Sequence, residues 1–139
     1  MRWVVFLGLL SACAHSSSPV SRDLVRDYRQ FGNYPEAFDA AKAGLCENPS
    51  DVNWVGEYAQ AWSDLKHPGN VDALVSLCSL PSFSEAYLRA LVHASLKELP
   101  KAQEKFNALL SHPEADALSK EDRTEIYYRA GLVLFLIHI

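Results

Sequence analysis

Residues 32–37 read Gly-Asn-Tyr-Pro-Glu-Ala, and the proline among them belongs to a ladder that runs the length of the chain. Pro35, Pro68 and Pro100 are spaced by 33 and 32 residues; Pro49, Pro81 and Pro113 are spaced by 32 and 32. These two interleaved series take six of the seven prolines, and the seventh, Pro19, lies near the amino terminus. Proline suits the first turn of a helix, where its missing N–H would be an orphan anyway. It is also common just past a helix, which it cannot continue. The spacing therefore predicts that Pro35, Pro68 and Pro100 start the second helix of successive units, and that Pro49, Pro81 and Pro113 close it. Helices of this length are too short to stand without packing.

The intervening segments carry the matching first helices. Residues 52–65 place Val55, Tyr58, Ala59 and Trp62 at i, i+3, i+4, i+7, the spacing of one helix face. Residues 83–98 repeat the pattern with Phe83, Ala86, Ala90, Leu91 and Ala94. In the last unit Ile126, Ala130, Val133 and Ile137 follow suit, with Ser119 and Asp122 as candidate caps. No segment alternates with period 2 for long enough to read as a strand. The expectation is an all-α chain of helix–turn–helix pairs at a period near 32, about three and a half units.

This pattern resembles the tetratricopeptide repeat (TPR) family, whose units are helical hairpins of about 34 residues. The match is clearest at Gly32-Asn33-Tyr34-Pro35-Glu36-Ala37 and at the exit Asn48-Pro49. Tyr28 and Ala37 fall at the family's packing positions, as do Ala59 and Trp62 in the second unit and Ala90, Ala102 and Phe106 in the third. The resemblance covers about residues 20–134. Two departures stand in the second unit: Asn70 replaces a small residue, and no glycine precedes Pro68. The helix over 68–80 is therefore expected to be short or irregular.

A second resemblance lies at the start. Met1-Arg2 is followed by the apolar run Trp3–Leu10 and then by Leu10-Ser11-Ala12-Cys13, which is similar to the lipobox of bacterial lipoproteins. The run is too short to span a bilayer and has the form of a signal peptide. The alternative is an ordinary secretory signal with a chance cysteine. The resemblance implies that residues 1–12 are removed, that Cys13 carries the lipid, and that residues 13–19 form a polar tether to a repeat domain over 20–139. That removal takes the chain to 127 residues, and loss of Arg2 takes the net charge from −4 to −5. Ala14 is not the Asp associated with inner-membrane retention in enteric bacteria, which points to the outer membrane, facing the periplasm.

With 13 Lys+Arg against 17 Asp+Glu and 49% hydrophobic residues, the 139-residue chain has globular usage, which excludes disorder and collagen-like classes. The mild acidity argues against nucleic acid as a partner. His15, His67, His93, His112 and His138 show no metal-ligand spacing, and no phosphate loop, nucleophile elbow or paired-carboxylate signature is present. Hence no catalytic residue, metal or cofactor is expected. For Cys46 and Cys78, 32 residues apart, a disulfide is open in an oxidising periplasm, but buried free thiols are the expectation, because stacked helices lie about 8–10 Å apart, beyond the usual reach of a disulfide.

In TPR proteins the first helices line a concave groove that binds peptides or partner helices. By position, the resemblance implies Arg22, Arg26, Arg29 and Gln30 from the first unit. It adds Asn53, Gln60, Ser63 and Asp64 from the second, Ser84, Tyr87 and Leu91 from the third, and Glu125 and Tyr128 from the fourth. Arg22, Arg26 and Arg29 share one helix face and could take a carboxylate, an acidic segment or an anionic headgroup. The plainer alternative is a solvated face balanced by Asp23 and Asp27. Residues 130–139 are almost wholly apolar, which suggests cover by a partner, by a second copy, or a shortened array. The functional expectation is a lipid-anchored scaffold or assembly factor for a protein partner in the cell envelope, pilotin-like in architecture. One alternative is a small regulatory or glycan-binding subunit of an envelope enzyme, which would need Trp54, Trp62 and Tyr87 exposed. Another is a repeat fragment with no role of its own.

Overall fold

The computed structural model describes residues 20–137, so Cys13, the signal segment and the tether lie outside the described residues. Within them the fold is all-α, with no strand. Seven α-helices follow in order: α1 (Arg22–Gln30), α2 (Tyr34–Glu47), α3 (Val52–Asp64), α4 (Val71–Cys78), α5 (Ser82–Ser95), α6 (Leu99–Leu110) and α7 (Lys120–Ile137). A 3-10 turn, Pro113–Ala117, separates α6 from α7; the sequence reading does not anticipate it. No described helix is long and apolar enough to cross a membrane.

Local chemistry sets the boundaries. The Ser21 hydroxyl accepts from Leu24 N–H at 3.1 Å, and the Asp51 carboxylate from Asn53 N–H at 2.9 Å. Asn70 and Ser119 do the same for α4 and α7, satisfying amide donors that have no partner inside the helix. Pro35 and Pro100 sit in the first turns of α2 and α6, as the ladder predicts.

The turns into α2, α4 and α6 share one geometry. Gly32, Lys66 and Lys97, spaced by 34 and 31 residues, are all left-handed, with φ of 76°, 64° and 63°. Each donates its N–H to the carbonyl three residues back, at 3.1 Å in all three cases. The next N–H reaches the carbonyl five residues back, at 2.8–2.9 Å. This closure satisfies the last carbonyls of α1, α3 and α5. Pro35 and Pro100 fall three residues past the left-handed position, but Pro68 falls only two past it. Pro68 consequently does not start α4, contrary to the ladder. His67 and Gly69 are also left-handed, and the helix begins only at Val71. The second unit's second helix is thereby cut to eight residues, the irregularity expected there.

Packing follows the hairpins. α1 packs on α2, α2 on α3, α3 on α5, α5 on α6 and α6 on α7, while α4 leans on α2. The core includes Val25, Leu45, Trp54, Tyr58, Trp62, Leu88, Phe106 and Ile126. Burial of such side chains contributes about 1.5–3 kcal/mol each. Ala37, Ala59, Trp62, Ala90, Ala102 and Phe106 are buried, and Tyr28 is half-buried against the core.

Cys46 and Cys78 form a disulfide, with Cα atoms 4.4 Å apart, and are not free thiols. The expectation failed because helix spacing is measured between axes. Each Cα stands about 2.3 Å off its own axis, so residues facing each other across an 8–10 Å spacing approach to about 3.5–5.5 Å. The bond ties the short α4 to α2.

Candidate functional site

One face of each of α1, α3, α5 and α7 contributes to a trough of adjoining cavities that share Gln60 and Arg129. Its charged half, a cavity of about 330 Å³, is lined by Arg22, Arg26 and Arg29 from α1 and by Asn53, Gly56, Glu57 and Gln60 from α3. Tyr87 of α5 closes its floor, and Glu121, Asp122, Glu125 and Arg129 of α7 form the opposite wall. A side depression of about 300 Å³ adjoins it, lined by Arg26, Arg29, Gln30, Tyr34 and Asp64. Gln60 and Arg129 also line a third cavity of about 500 Å³, walled by Ser63, Leu91, Ala94, Leu132, Val133 and Leu136. Arginines and carboxylates thus line the α1 end together, whereas the cavity between α5 and α7 joins an apolar wall to Lys66, His67, Ser95 and Lys97.

Most of the residues expected from sequence fall here. Arg22, Arg26, Arg29, Asn53, Gln60, Tyr87 and Glu125 line the charged half, Gln30 and Asp64 the side depression, and Ser63 and Leu91 the third cavity. Two do not. Ser84 is buried in the core, and Tyr128 stands exposed outside the lining. Sequence reasoning missed Glu57, Glu121, Asp122 and Arg129. Glu57 was findable, because Asn53, Glu57, Gln60 and Asp64 form the unbroken stripe i, i+4, i+7, i+11.

The arginines are fixed from across the trough rather than balanced chiefly on their own helix. Arg26 Nε donates to Glu57 Oε1 at 2.9 Å, and Arg29 Nε donates to Asp64 Oδ2 at 2.7 Å. The expected partner Asp23 reaches Arg26 at only 3.6 Å, and Asp27 makes no ion pair among the described residues. Gln60 Nε2 donates to Asp64 Oδ1 at 3.0 Å, holding that carboxylate in place. On the far wall Arg129 Nε donates to Glu125 at 2.8 Å, and Asn53 Nδ2 donates to Asp122 at 3.0 Å, joining α3 to α7. Burial pushes the Tyr87 phenol up to about 12; Arg129 pulls it down, and Glu125 and Asp122 raise it. Tyr87 is thus a neutral floor at physiological pH.

One Ser–His contact lies at the rim of the third cavity. His67 Nε2 is 2.9 Å from Ser95 Oγ, and the Ser95 hydroxyl donates to Ser63 Oγ at 2.9 Å. Ser95 is the last residue of α5, and Ser63 lies in the last turn of α3. Helix carboxyl ends carry negative partial charge, which opposes an alkoxide there. The trio acts as a polar clasp between the second turn and α5. Among the described residues no three His, Cys, Asp or Glu side chains converge as a metal site would require.

No protein-family model, curated protein or solved structure matches the chain.

Proposed function

We propose that this protein is a non-catalytic, TPR-like scaffold, a lipoprotein anchored through Cys13 on the periplasmic side of the outer membrane, that holds a protein partner in the cell envelope. The observation that carries the reading is the trough: four helices from separate hairpins turn one face each into a mixed-chemistry surface of adjoining cavities. The three turns of identical hydrogen bonding support a repeat architecture. The Cys46–Cys78 bond supports export, since disulfides persist in oxidising compartments and are rare in the cytosol. Trp54, Trp62 and Tyr87 are all buried, so they offer no stacking platform to a sugar, which disfavours the glycan-binding alternative.

Crosslinking and pull-down from envelope membranes tests the scaffold. Wild type is expected to capture a partner that an Arg22→Glu/Arg26→Glu/Arg29→Glu variant loses; identical captures would discard the trough as the docking face. Acyl labelling, abolished by Cys13→Ala, tests the anchor separately.

A second reading concerns α7. Tyr127, Leu134 and Phe135 are exposed on it, as is Tyr128, with Phe135 at 65%. An apolar face of that kind supports self-association. Light scattering on the full-length chain would show a dimer converted to monomer by Phe135→Glu, and a monomeric wild type would end this reading.

A further inference from the structure

The turns that close α3 and α5 bring two lysines to one cavity. Lys66 and Lys97 hold equivalent left-handed positions, and both line the space of about 500 Å³ between α3, α5, α6 and α7. That volume falls within the range of small-molecule sites, about 300–1,000 Å³. Neither lysine is neutralised locally. Asp64 is held by Arg29 at 2.7 Å, and Glu98, next to Lys97, accepts from Lys101 Nζ at 2.8 Å. Lys66 and Lys97 make no ion pair among the described residues, and no carboxylate stands in the cavity lining. Arg129 adds a further cation, and its partner Glu125 lines the other cavity.

The carboxyl ends of α3 and α5 carry partial negative charge, and the lysines that follow them set full positive charges against it. Ser95 spends its one hydroxyl proton on Ser63 Oγ, so His67 Nε2 donates to Ser95. The Ser63 proton finds no acceptor among the described residues, which leaves a neutral donor in the wall. The rest of the lining is largely apolar. Leu91, Phe106 and Val133 are buried in it, and Leu132 and Leu136, one helical turn apart on α7, stand exposed at its rim. Exposed leucines beside uncompensated cations are matched by a ligand that joins an alkyl chain to an anion.

We propose that this cavity binds a fatty acid, with its carboxylate at Lys66 and Lys97 and its alkyl chain along Leu91, Leu132, Val133 and Leu136. A carboxylate suits the head better than a phosphate, because phosphate sites are commonly built from free backbone N–H groups. Here the N–H groups of Lys66, His67, Lys97 and Glu98 are all spent on closing the two helices. This site is independent of the scaffold reading, whose test addresses the arginines of α1.

Isothermal titration of the full-length chain with decanoate, 1-decanol and decyl phosphate tests the assignment. Decanoate is expected to bind one per chain, at least tenfold tighter than 1-decanol and tighter than decyl phosphate. Lys66→Gly/Lys97→Gly removes both charges at left-handed positions that glycine adopts freely. It should weaken decanoate tenfold or more and leave 1-decanol unchanged, whereas Lys66→Arg/Lys97→Arg should retain decanoate binding. Leu136→Ser should weaken decanoate and 1-decanol alike, and Arg22→Glu, in the cavity at α1, should change neither. Equal affinity for decanoate and 1-decanol, or decanoate binding indifferent to the glycine variant, would overturn the proposal. Tighter binding of decyl phosphate would reassign the head to a phosphate ester and overturn the fatty-acid assignment. Loss of decanoate binding in Arg22→Glu would move the ligand to the α1 end, with the same result. No binding of any probe would overturn the fatty-acid site and leave the scaffold reading to its own pull-down.

Discussion

Gly44 lies inside α2 on the face that meets α3, and a Cβ built on it would overlap the six-membered ring of Trp54. Both residues are buried, and Trp54 is only 5% exposed, so the ring has little room to retreat. Replacing an interior helical glycine by alanine ordinarily stabilises a protein by about 0.4–1 kcal/mol. Here overpacking opposes that gain by about 1–3 kcal/mol. Gly44→Ala is expected to destabilise the fold by about 1–2 kcal/mol net, a fall of roughly 4–8 °C in Tm for a domain of this size.

Two other helical glycines serve as controls. A Cβ on Gly56 would meet only Arg129 Nη2 at 3.8 Å, and one on Gly131 would meet nothing within 4 Å. Gly56→Ala and Gly131→Ala should each raise stability by up to about 1 kcal/mol. The assay is urea unfolding followed by circular dichroism, read as the midpoint at constant m. Trp54→Leu should partly rescue Gly44→Ala, giving a coupling of about 1 kcal/mol or more between the two sites. A stabilised Gly44→Ala protein, or strictly additive effects with Trp54→Leu, would refute the packing argument.

Lys66 and Lys97 occupy the left-handed position that Gly32 fills without strain; Lys66→Gly and Lys97→Gly should each stabilise by about 0.5–1 kcal/mol in thermal melts. Reduction of Cys46–Cys78 releases a constraint across 32 residues and should cost about 3–4 kcal/mol, with amide exchange accelerating first in α4; an unchanged urea midpoint under reductant would contradict it. Burial pushes the phenols of both Tyr58 and Tyr87 up to about 12. The unfolded chain ionises them near 10 and the folded chain near 12, so their contribution is complete below pH 10 and is lost between pH 10 and 12. Each accounts for about 2–3 kcal/mol. Absorbance at alkaline pH should show two of the six tyrosines ionising together with the loss of helical signal.

The fold was largely legible because proline acts locally. A residue without an N–H, recurring at a near-constant interval, marks candidate helix starts, and Pro35 and Pro100 sit in the first turns of α2 and α6. Pro68 misled because it falls one residue sooner after the left-handed position, and the further left-handed residues His67 and Gly69 delay the helix to Val71. The disulfide was hidden for another reason: whether two cysteines face each other depends on helix rotation, which spacing alone does not specify. His112 shows the same limit. Its turn position is evident from sequence, but its Nδ1 accepting from Glu114 N–H is a capping role visible only in three dimensions.

The site was legible in its positions and illegible in its pairings. Helical periodicity places Arg22, Arg26 and Arg29 on one face, and the same logic places Asn53, Glu57, Gln60 and Asp64 on another. Neither stripe says that the two face each other, because that follows from how α1 and α3 both pack against α2. Once they do, Glu57 and Asp64 change the chemistry of the arginines. A row of solvated cations would attract any polyanion, with strong dependence on salt. Arginines already bound through Nε attract less overall charge but present their remaining donors in fixed directions. The consequence is directional: Glu57→Gln should release Arg26 and raise the trough's affinity for simple anions while reducing its discrimination among acidic peptides. If both affinities instead rise in parallel, the carboxylates of α3 only neutralise charge and do not orient the arginines.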